Sequence, residues 1–473
     1  MWTTSGCWPA SSRNSGARGR AVCCRPCGCR RTRFGWCAAN PCPRRAASCC
    51  PSTPRGSPGA GEPRRRLCRG VDRRSRGAVR VKLVHLTTVD LSLRFLLRDQ
   101  LRAYREAGFE VIGMSAPGPW IRDLQDDGLA HVAVPALVRR VHPLADARAL
   151  AQLIRVLRRV APTILHTHTP KAGVLGRLAA RVAGVPIVVN TVHGFYALEG
   201  SRARRRFYLW LERLAARASD FELCQSREDL EMLRRLGVLD PARSAYLGNG
   251  VDLGRFDPAL WDRRAVRAQL GIPPEAVVVG TVGRLVWEKG YREFFTAAEA
   301  LRLEHPALVW LAVGPAEAEK ADGIPAAVLD DLQRRGVIRF LGMRTDMPAL
   351  YAAMDVFVLA SYREGFPRSA VEAAALGLPL VLTDIRGCRE VVAEGGNGFL
   401  VPPHDSAALQ ARIRQLIGDP RLRTRFAGES RARALREFDE RRIIATTLDL
   451  YRRLLREWQG GWAGAHQESE ARG

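Results

Sequence analysis

From Val79 onward, short apolar runs alternate with longer segments whose apolar residues recur at helical spacing. "VRVKLVHLTT" reads as a strand, "LSLRFLLRDQLRAYREAG" as a helix that ends at Gly108, and "FEVIGMSA" as a second strand. Further strands are predicted at 162–166, in "VPIVVNTVHG" and in "ASDFELCQS". Strands that alternate with helices in this way are typical of a parallel sheet with crossover helices.

The alternation breaks at "YLGNGVDLGRFDP", where glycines and a proline indicate a linker. Six more strands are predicted beyond it, in "AVVVGTVGRL", "ALVWLAVG", "VIRFLGM", "DVFVLAS", "PLVLTD" and "NGFLVPP". The pattern predicts an α/β protein with two doubly wound, Rossmann-like domains facing a cleft, and ligands at the carboxyl ends of the strands. We place the first domain at 79–247, the linker at 248–258, the second domain at 259–432, a terminal helix at 433–458 and a polar tail at 459–473.

Residues 1–78 differ in composition from the rest of the chain. They hold 17 Arg, no Lys and two acids, so they carry +15 of the net charge of +26 and leave +11 to the remainder, and they hold ten of the twelve cysteines. The CxxC pair at 24–27 makes a zinc or disulfide module one alternative, and a disordered basic arm is another. GC-rich codons favour Arg over Lys, and the whole chain has four Lys. We therefore expect a mis-annotated extension ahead of a true start near Val79 or Val81.

Charge and hydropathy limit the partners of the remaining chain. Strong basicity is typical of proteins that bind nucleic acid, but more than half of the charge lies in residues 1–78, so no nucleic-acid partner is expected. No run of about 18 apolar residues occurs, so no membrane-spanning helix is predicted. Only Cys224 and Cys388 lie beyond residue 78, which favours a reducing, cytoplasmic compartment.

Two loops of the second domain carry charges suited to a nucleotide sugar. In "GTVGRLVWEKG", Gly283 permits close backbone approach, and Arg284 and Lys289 place two cations near a helix start, which suits a diphosphate. In "SYREGFPRSAVEAAALGLPLV", Glu364 lies in a loop after a strand and Glu372 in the next helix. Ionised carboxylates only accept hydrogen bonds, so they suit sugar hydroxyls. An ordinary basic surface turn and a helix-start acid stabilised by the macrodipole are the alternatives.

Together these motifs resemble a known family. The E-x7-E spacing of Glu364 and Glu372, "GRLVWEKG", "NGVD" and "HTHTPKAGVLGRLAARVAGVP" look like the family 4 retaining glycosyltransferases of the GT-B fold, of the type that builds bacterial capsule, exopolysaccharide and lipid-linked glycans. The resemblance extends from about Val81 to Leu455. It implies a C-terminal helix that crosses back to the first domain. It also implies a retaining hexosyl- or N-acetylhexosaminyltransferase that uses a nucleotide-sugar donor and a glycan or polyprenyl-linked acceptor.

The resemblance also implies roles for individual residues. Arg284 and Lys289 match the pair that binds the donor diphosphate, and Glu364 matches the glutamate that contacts the donor sugar. His193, in "TVHG", matches a cleft histidine beside that sugar, and these four residues form the expected catalytic set. Neither a metal nor another cofactor is expected beyond the nucleotide-sugar co-substrate. The expected donor-binding residues are Gly283, the Gly365-Phe366 turn with its backbone amides, Glu372 for the ribose, and Glu390.

The acceptor side departs from the family pattern. Many relatives have a Gly-Gly loop after the first strand, where this chain has "LTTVDLSLRFLL", so Asp90 and Arg94 are the candidate acceptor contacts. His166 and His168 alternate as metal ligands do, but without an obvious third partner they are interpreted as polar residues lining the cleft. The basic, aromatic stretch at 202–218 fits either a helix on an anionic membrane or a helix packed on the core.

Three functions of different classes follow. We favour a glycosyltransferase of cell-surface polysaccharide synthesis, cytoplasmic or peripheral on the inner face of the cell membrane. A nucleotide-sugar 2-epimerase-like enzyme of the same fold would consume its donor without an acceptor. A basic nucleic-acid-binding protein would show affinity that falls steeply with salt.

Overall fold

The computed structural model describes residues 80–196 and 201–470, with side chains described as far as residue 460. The extension predicted at 1–78 therefore lies outside the described residues. Two parallel sheets organise the part that is described.

The first sheet has seven parallel strands in the order β3-β2-β1-β4-β5-β6-β7. Its central strands β1, β4 and β5 are almost entirely buried, as expected for a parallel sheet covered by helices on both faces. The strand order reverses between β1 and β4, where His85 pairs in register with His166. The strands are β1 (Lys82–Val89), β2 (Glu110–Ala116), β3 (Ala130–Ala133), β4 (Ile164–His168), β5 (Ile187–Val192), β6 (Phe221–Cys224) and β7 (Ser244–Tyr246).

The second sheet has six parallel strands in the order β10-β9-β8-β11-β12-β13, which repeats the same winding. It reverses between β8 and β11, where Gly280 pairs with Phe357. Met354 follows the helix Met347–Ala353, and an added Cβ at Gly280 would lie 2.2 Å from its sulfur. The lack of a side chain at residue 280 therefore lets the end of that helix pack directly on the strand. The strands are β8 (Val278–Val282), β9 (Val309–Val313), β10 (Arg339–Phe340), β11 (Val356–Leu359), β12 (Leu380–Thr383) and β13 (Gly398–Val401).

Helices connect the strands and cover both faces of each sheet. Around the first sheet they are Asp90–Ser92, the π-helical turn Leu93–Leu97, Arg98–Glu106, Ile121–Asp126, Pro143–Val160, Pro170–Ala183, Arg202–Ala216, Arg227–Arg235 and the 3-10 turn Pro241–Arg243. Around the second sheet they are Arg263–Gln269, Tyr291–Glu304, Ala326–Arg334, Met347–Ala353, Arg368–Ala375, Arg386–Arg389, Ser406–Gly418 and Pro420–Glu437, with 3-10 turns Pro258–Leu260 and Trp287–Lys289.

The final helix, Glu440–Glu470, returns to the first domain. Tyr451 is fully buried there with Phe109, Tyr104 and the core of the first sheet. At its start the backbone N–H of Glu440 donates to Val251 O at 3.2 Å, so the linker and this helix pack together where the chain crosses between the domains. The crossing helix expected from the resemblance is confirmed.

Three local predictions were incomplete. Strands β3 and β7 were missed because their short, mixed sequences give little periodicity. The helix predicted after β1 is present as a continuous helical segment, but its α-helical hydrogen-bonding pattern is interrupted by a π-helical turn at Leu93–Leu97. The terminal helix runs to Glu470 rather than ending at Trp458, because the segment predicted as a polar tail contains no proline that would end it.

Candidate active site

The predicted donor residues lie at the carboxyl ends of β8 and β11, the switch point of the second sheet. Arg284 and Lys289 follow β8, and Glu364 follows β11. Gly290, with φ of +73°, closes the first loop, and a Cβ there would lie 1.9 Å from the carbonyl oxygen of Ala360. The two loops can touch because residue 290 lacks a side chain.

Acidic side chains hold both cations of these loops. Lys289 Nζ donates to Glu364 Oε1 at 2.5 Å, with both side chains less than one-fifth exposed. Arg284 pairs with Glu317 at 2.8 Å and with Glu288 at 3.3 Å. A bound diphosphate would compete with these carboxylates for the same hydrogen-bond donors.

Glu372 lies in the helix Arg368–Ala375, and both of its carboxylate oxygens accept hydrogen bonds. Tyr351 donates to Oε2 at 3.0 Å, and Arg368 Nε donates to Oε1 at 3.1 Å. Burial and the nearby Glu372 carboxylate raise the pKa of Tyr351 well above 10, so its hydroxyl stays a donor. Each carboxylate oxygen has a second lone pair, so Glu372 can still accept a bond from a ligand hydroxyl.

Two glycines bring the two domains into contact beside Glu364, and a third packs against the same turn from within the second domain. A Cβ on Gly365 would lie 1.7 Å from the carbonyl oxygen of His193, and a Cβ on Gly194 would lie 2.6 Å from the Cα of Gly365. A Cβ on Gly387 would meet the carbonyl oxygen of Glu364 at 2.6 Å. Of the three, only Gly365 was predicted. The Phe366 side chain points away into the second-domain core, so only its backbone faces this junction.

Ion pairs reinforce the same junction. Arg386 of the second domain pairs with the buried Asp229 at 2.6 Å and donates to Phe195 O at 2.7 Å. Arg389 pairs with Glu228 at 3.0 Å. The carboxylate of Glu390 accepts from the backbone N–H of Arg227 at 2.5 Å. Glu390, predicted beside the nucleotide, therefore lies on an interdomain contact at the N-terminus of Arg227–Arg235.

His193 lies just after β5, with both ring nitrogens in hydrogen bonds. Its Nδ1 lies 3.1 Å from Gln225 Oε1, and its Nε2 lies 3.0 Å from His168 Nδ1. His168 in turn bonds to Nδ1 of His85 at 3.0 Å. Burial lowers the pKa of His193 to about 4 and that of His85 to about 3.

The side chains of Asp90 and Arg94, predicted to contact the acceptor, are engaged within the first domain. Asp90 is buried and accepts from the backbone N–H groups of Leu91 at 2.9 Å and Trp120 at 2.7 Å. Arg94 pairs with Asp123 at 2.6 Å. These bonds fix the turn after β1.

A cavity of about 910 Å³ opens beside His193 in the first domain. Its lining is mostly apolar, and neither Asp90 nor Arg94 contributes to it. The charged residues of its lining are the basic Arg139, Lys171, Arg177, Arg204 and Arg363 and the acidic Asp146, Glu212 and Glu222. Thr169, which also lines it, has φ of +65°, a strained conformation for a β-branched residue and one that clusters at functional sites.

The helix Arg202–Ala216 forms one rim of this cavity. It buries Leu209 and Ala215 but leaves Phe207 55%, Trp210 56% and Leu214 39% exposed. These three side chains are spaced for one helical face, and the first turn of the helix is rich in exposed arginines. Across the described residues, no helix combines the length and apolar character needed to cross a bilayer.

His85 lies beside His166 and His168 and is the third possible metal ligand that the sequence did not show. One ring nitrogen from each of the three histidines lies within 4.8 Å of the others. Such a group can bind a metal, but here five of its six ring nitrogens make hydrogen bonds, the exception being Nε2 of His85. His166 contacts the Tyr451 hydroxyl and, at 2.7 Å, Thr191 Oγ1. The arrangement fits a hydrogen-bonded cluster better than a set of ligands aimed at one ion.

Family models match both halves of the chain. Residues 262–433 match glycosyl transferases group 1, and residues 93–250 match the glycosyl transferase 4-like domain. A galactosyltransferase of Escherichia coli that acts on GlcNAc-diphosphoundecaprenol is 32% identical over 71% of this chain and 86% of its own. The chain belongs to the family 4 type of glycosyltransferases. CapM of Staphylococcus aureus, a capsular polysaccharide enzyme, is 27% identical over 80% of this chain and 99% of its own. This glycosyltransferase belongs to polysaccharide or lipid-linked glycan synthesis.

Solved structures agree on the fold. Anabaena HepE bound to UDP has a TM-score of 0.65 and 24% identity over 79% of this glycosyltransferase and 99% of its own chain. A sucrose-phosphate synthase of Thermosynechococcus elongatus reaches 0.67 at 21% identity over 80% and 100% of the two chains. The GT-B architecture predicted for this chain is confirmed.

Sequence reasoning missed several residues that the structure places at the cleft. His85, Asn190 and Gln225 each appeared as an isolated polar residue in or beside an apolar strand. Their signal is positional, because polar residues that lie side by side on neighbouring parallel strands meet within the sheet or at its edge. Finding it requires the strand order, which periodicity does not provide.

Proposed function

We propose that this glycosyltransferase moves a hexose or N-acetylhexosamine from a UDP-sugar to a glycan linked to a lipid diphosphate, with retention of anomeric configuration. UDP is supported by the bound nucleotide of HepE and by the UDP-Gal donor named for the Escherichia coli relative. The lipid-linked acceptor is supported by that relative and by a Campylobacter jejuni enzyme named for a diphospho-undecaprenol acceptor.

One observation carries the donor assignment: Lys289 and Glu364 meet at 2.5 Å where two strand-end loops converge, with Arg284 in the same loop as Lys289. Departure of UDP from the anomeric carbon develops negative charge on its phosphates. In our proposal, Arg284 and Lys289 exchange their carboxylate partners for the diphosphate and stabilise that charge in place. Glu364, released from Lys289, then accepts hydrogen bonds from the donor sugar, and Glu372 accepts from the ribose. This scheme uses no metal.

The cavity beside His193 is our proposed acceptor site. A mostly apolar lining that holds more cationic than anionic side chains suits an amphipathic anion, and a lipid diphosphate is one. Lys171 donates to Arg140 O at 2.7 Å and pairs with Asp146, so a bound diphosphate would compete with this carboxylate for the ammonium. The exposed Phe207, Trp210 and Leu214 continue the apolar surface outward, next to arginines that complement anionic lipid headgroups. We accordingly propose peripheral binding to the inner face of the cell membrane.

Calorimetry with UDP and a panel of UDP-sugars tests the donor site. Lys289→Met removes one charge-assisted hydrogen bond to phosphate, worth about 1.5–3 kcal/mol, so UDP should bind about 10- to 100-fold more weakly. Arg284→Met should behave similarly. Arg334→Met, at an exposed surface position, is the matched control and should bind normally. Unchanged UDP affinity in both site variants would refute the donor assignment.

Transfer assays test the acceptor. A polyprenyl-diphosphate-linked monosaccharide should be glycosylated faster than the same sugar without lipid, and the proton coupling of the new anomeric centre should show retention. Donor consumption that needs no acceptor would instead support the epimerase-like alternative.

Flotation with vesicles tests the membrane surface. Phosphatidylglycerol vesicles should bind the protein and phosphatidylcholine vesicles should not. Trp210→Asp should weaken binding at least tenfold, whereas Leu303→Asp, at a residue 86% exposed on the second domain, should leave it unchanged. Equal binding by both variants would exclude the helix Arg202–Ala216 as the contact.

A further inference from the structure

A chain of hydrogen bonds runs from the cleft into the first domain through three histidine rings. Gln225 Oε1 and His193 Nδ1 are 3.1 Å apart, His193 Nε2 and His168 Nδ1 are 3.0 Å apart, and His168 Nε2 and His85 Nδ1 are 3.0 Å apart. Ring centroids are 5.2 Å apart in both histidine pairs, so each bond joins the rims of two rings rather than stacked faces. We define these four side chains as the histidine chain.

Its proton arrangement is restricted. A neutral imidazole has one donor and one acceptor nitrogen, and the bond made by one nitrogen sets the state of the other. When the Gln225 carbonyl oxygen accepts from Nδ1–H of His193, His193 Nε2 is an acceptor, so His168 must donate from Nδ1. His168 Nε2 then accepts from Nδ1–H of His85. All three rings consequently carry their proton on Nδ1.

The inner end of the chain agrees with this order. Nε2 of His85 is buried without a hydrogen-bond partner among the described residues. In the proton order just described, this nitrogen carries no hydrogen, so no N–H group is buried without an acceptor. Desolvation lowers the pKa of His168 well below 6.5, so this ring stays neutral, as the alternating pattern requires.

We propose that His168 and Gln225 are positioning residues that hold the His193 ring at the cleft in a single tautomer, and that His85 holds His168 in the same way. His193 lies against the Gly365 turn, where the donor sugar is proposed to bind, so a rotated ring or the wrong tautomer would present a different atom to the substrate. This role rests on the proposed function, but the tautomer itself does not.

Long-range ¹H–¹⁵N spectra of histidine-labelled full-length protein at pH 7.5 test the chain without any activity. All three rings should be neutral and share the Nδ1–H tautomer. Gln225→Glu, whose carboxylate only accepts, should keep that tautomer, whereas Gln225→Leu should lose the uniform order. Different tautomers among the three wild-type rings, or a cationic ring, would overturn the proposal even if the enzyme transfers sugar normally.

Kinetics separate positioning from mere packing. His168→Leu removes the donor to His193 and should lower kcat at least tenfold, with the donor KM within about twofold. His168→Asn retains an N–H near the Nδ1 position and should recover at least fivefold of that loss. The exposed His142→Asn is the control for histidine replacement in general. Equal loss in the Leu and Asn variants, once both are shown to be folded, would assign His168 to packing alone.

Discussion

Acidification should unfold the first domain before the second. The buried His85, His166 and His168 and the half-buried His193 lie together beneath the cleft. Desolvation lowers the pKa of His85 to about 3 and that of His193 to about 4, and it lowers the other two pKa values well below 6.5. The native protein therefore keeps all four rings neutral at pH values where an unfolded chain binds a proton on each.

The sign and the size follow from proton linkage. A histidine with a depressed native pKa contributes its full stability above pH 6.5, the pKa of the unfolded chain, and loses that stability as the pH falls further. His85 and His193, with native pKa values of about 3 and about 4, each lose about 1.4 kcal/mol per pH unit, or about 2 kcal/mol at pH 5. Together they lose about 4 kcal/mol, a large share of the unfolding free energy of about 5–15 kcal/mol of an ordinary domain, and His166 and His168 change stability in the same direction.

Hydrogen exchange measured by mass spectrometry between pH 7.5 and 5, corrected for intrinsic exchange rates, resolves the two domains. Peptides covering β1, β4 and β5 should lose protection near pH 5, while peptides covering β8 and β11 should keep it. His85→Phe, in a ring position that stacks on Tyr104, should reduce the slope of stability against pH by about 1.4 kcal/mol per pH unit. The exposed His142→Asn should not change it. Full protection of β4 at pH 5 would refute the reasoning.

Three further predictions concern packing and charge. Gly365→Ala places a methyl group against a carbonyl oxygen across the cleft, so X-ray scattering should show separated domains and transfer should be lost, whereas Gly428→Ala, which meets no neighbour, should do neither. Burial raises the pKa of Glu440 to about 7, so the contribution of this one carboxyl group to stability should fall as the pH rises from about 4.5 to 7; Glu440→Gln should be about 3 kcal/mol more stable than wild type at pH 8 and equal to it at pH 4.5 by urea unfolding. Arg267→Leu removes the buried partner of Asp355 and leaves that carboxylate with only the half-exposed Arg263, which should cost about 3 kcal/mol in the same assay.

Much of the fold follows from periodicity. Apolar runs predicted eleven of the strands, because strands buried on both faces of a parallel sheet read as continuous apolar segments. The loops that hold Arg284, Lys289 and Glu364 were found for a related reason, since charges directly after such strands are conspicuous. Strands as short as Ser244–Tyr246 provide too few residues for any pattern.

The sequence by itself determined the fold class, the family and the charged residues of the donor loops, since each is encoded in a short stretch of neighbouring residues. Only the tertiary structure decided which distant residues meet. His85 joins His168 across 83 positions of sequence, and Gly365 meets His193 across the cleft. It also assigned Asp90 to a backbone turn and Glu390 to a domain contact. The reason is physical: strand order and domain closure bring these atoms within bonding distance, and neither leaves a local pattern in the sequence.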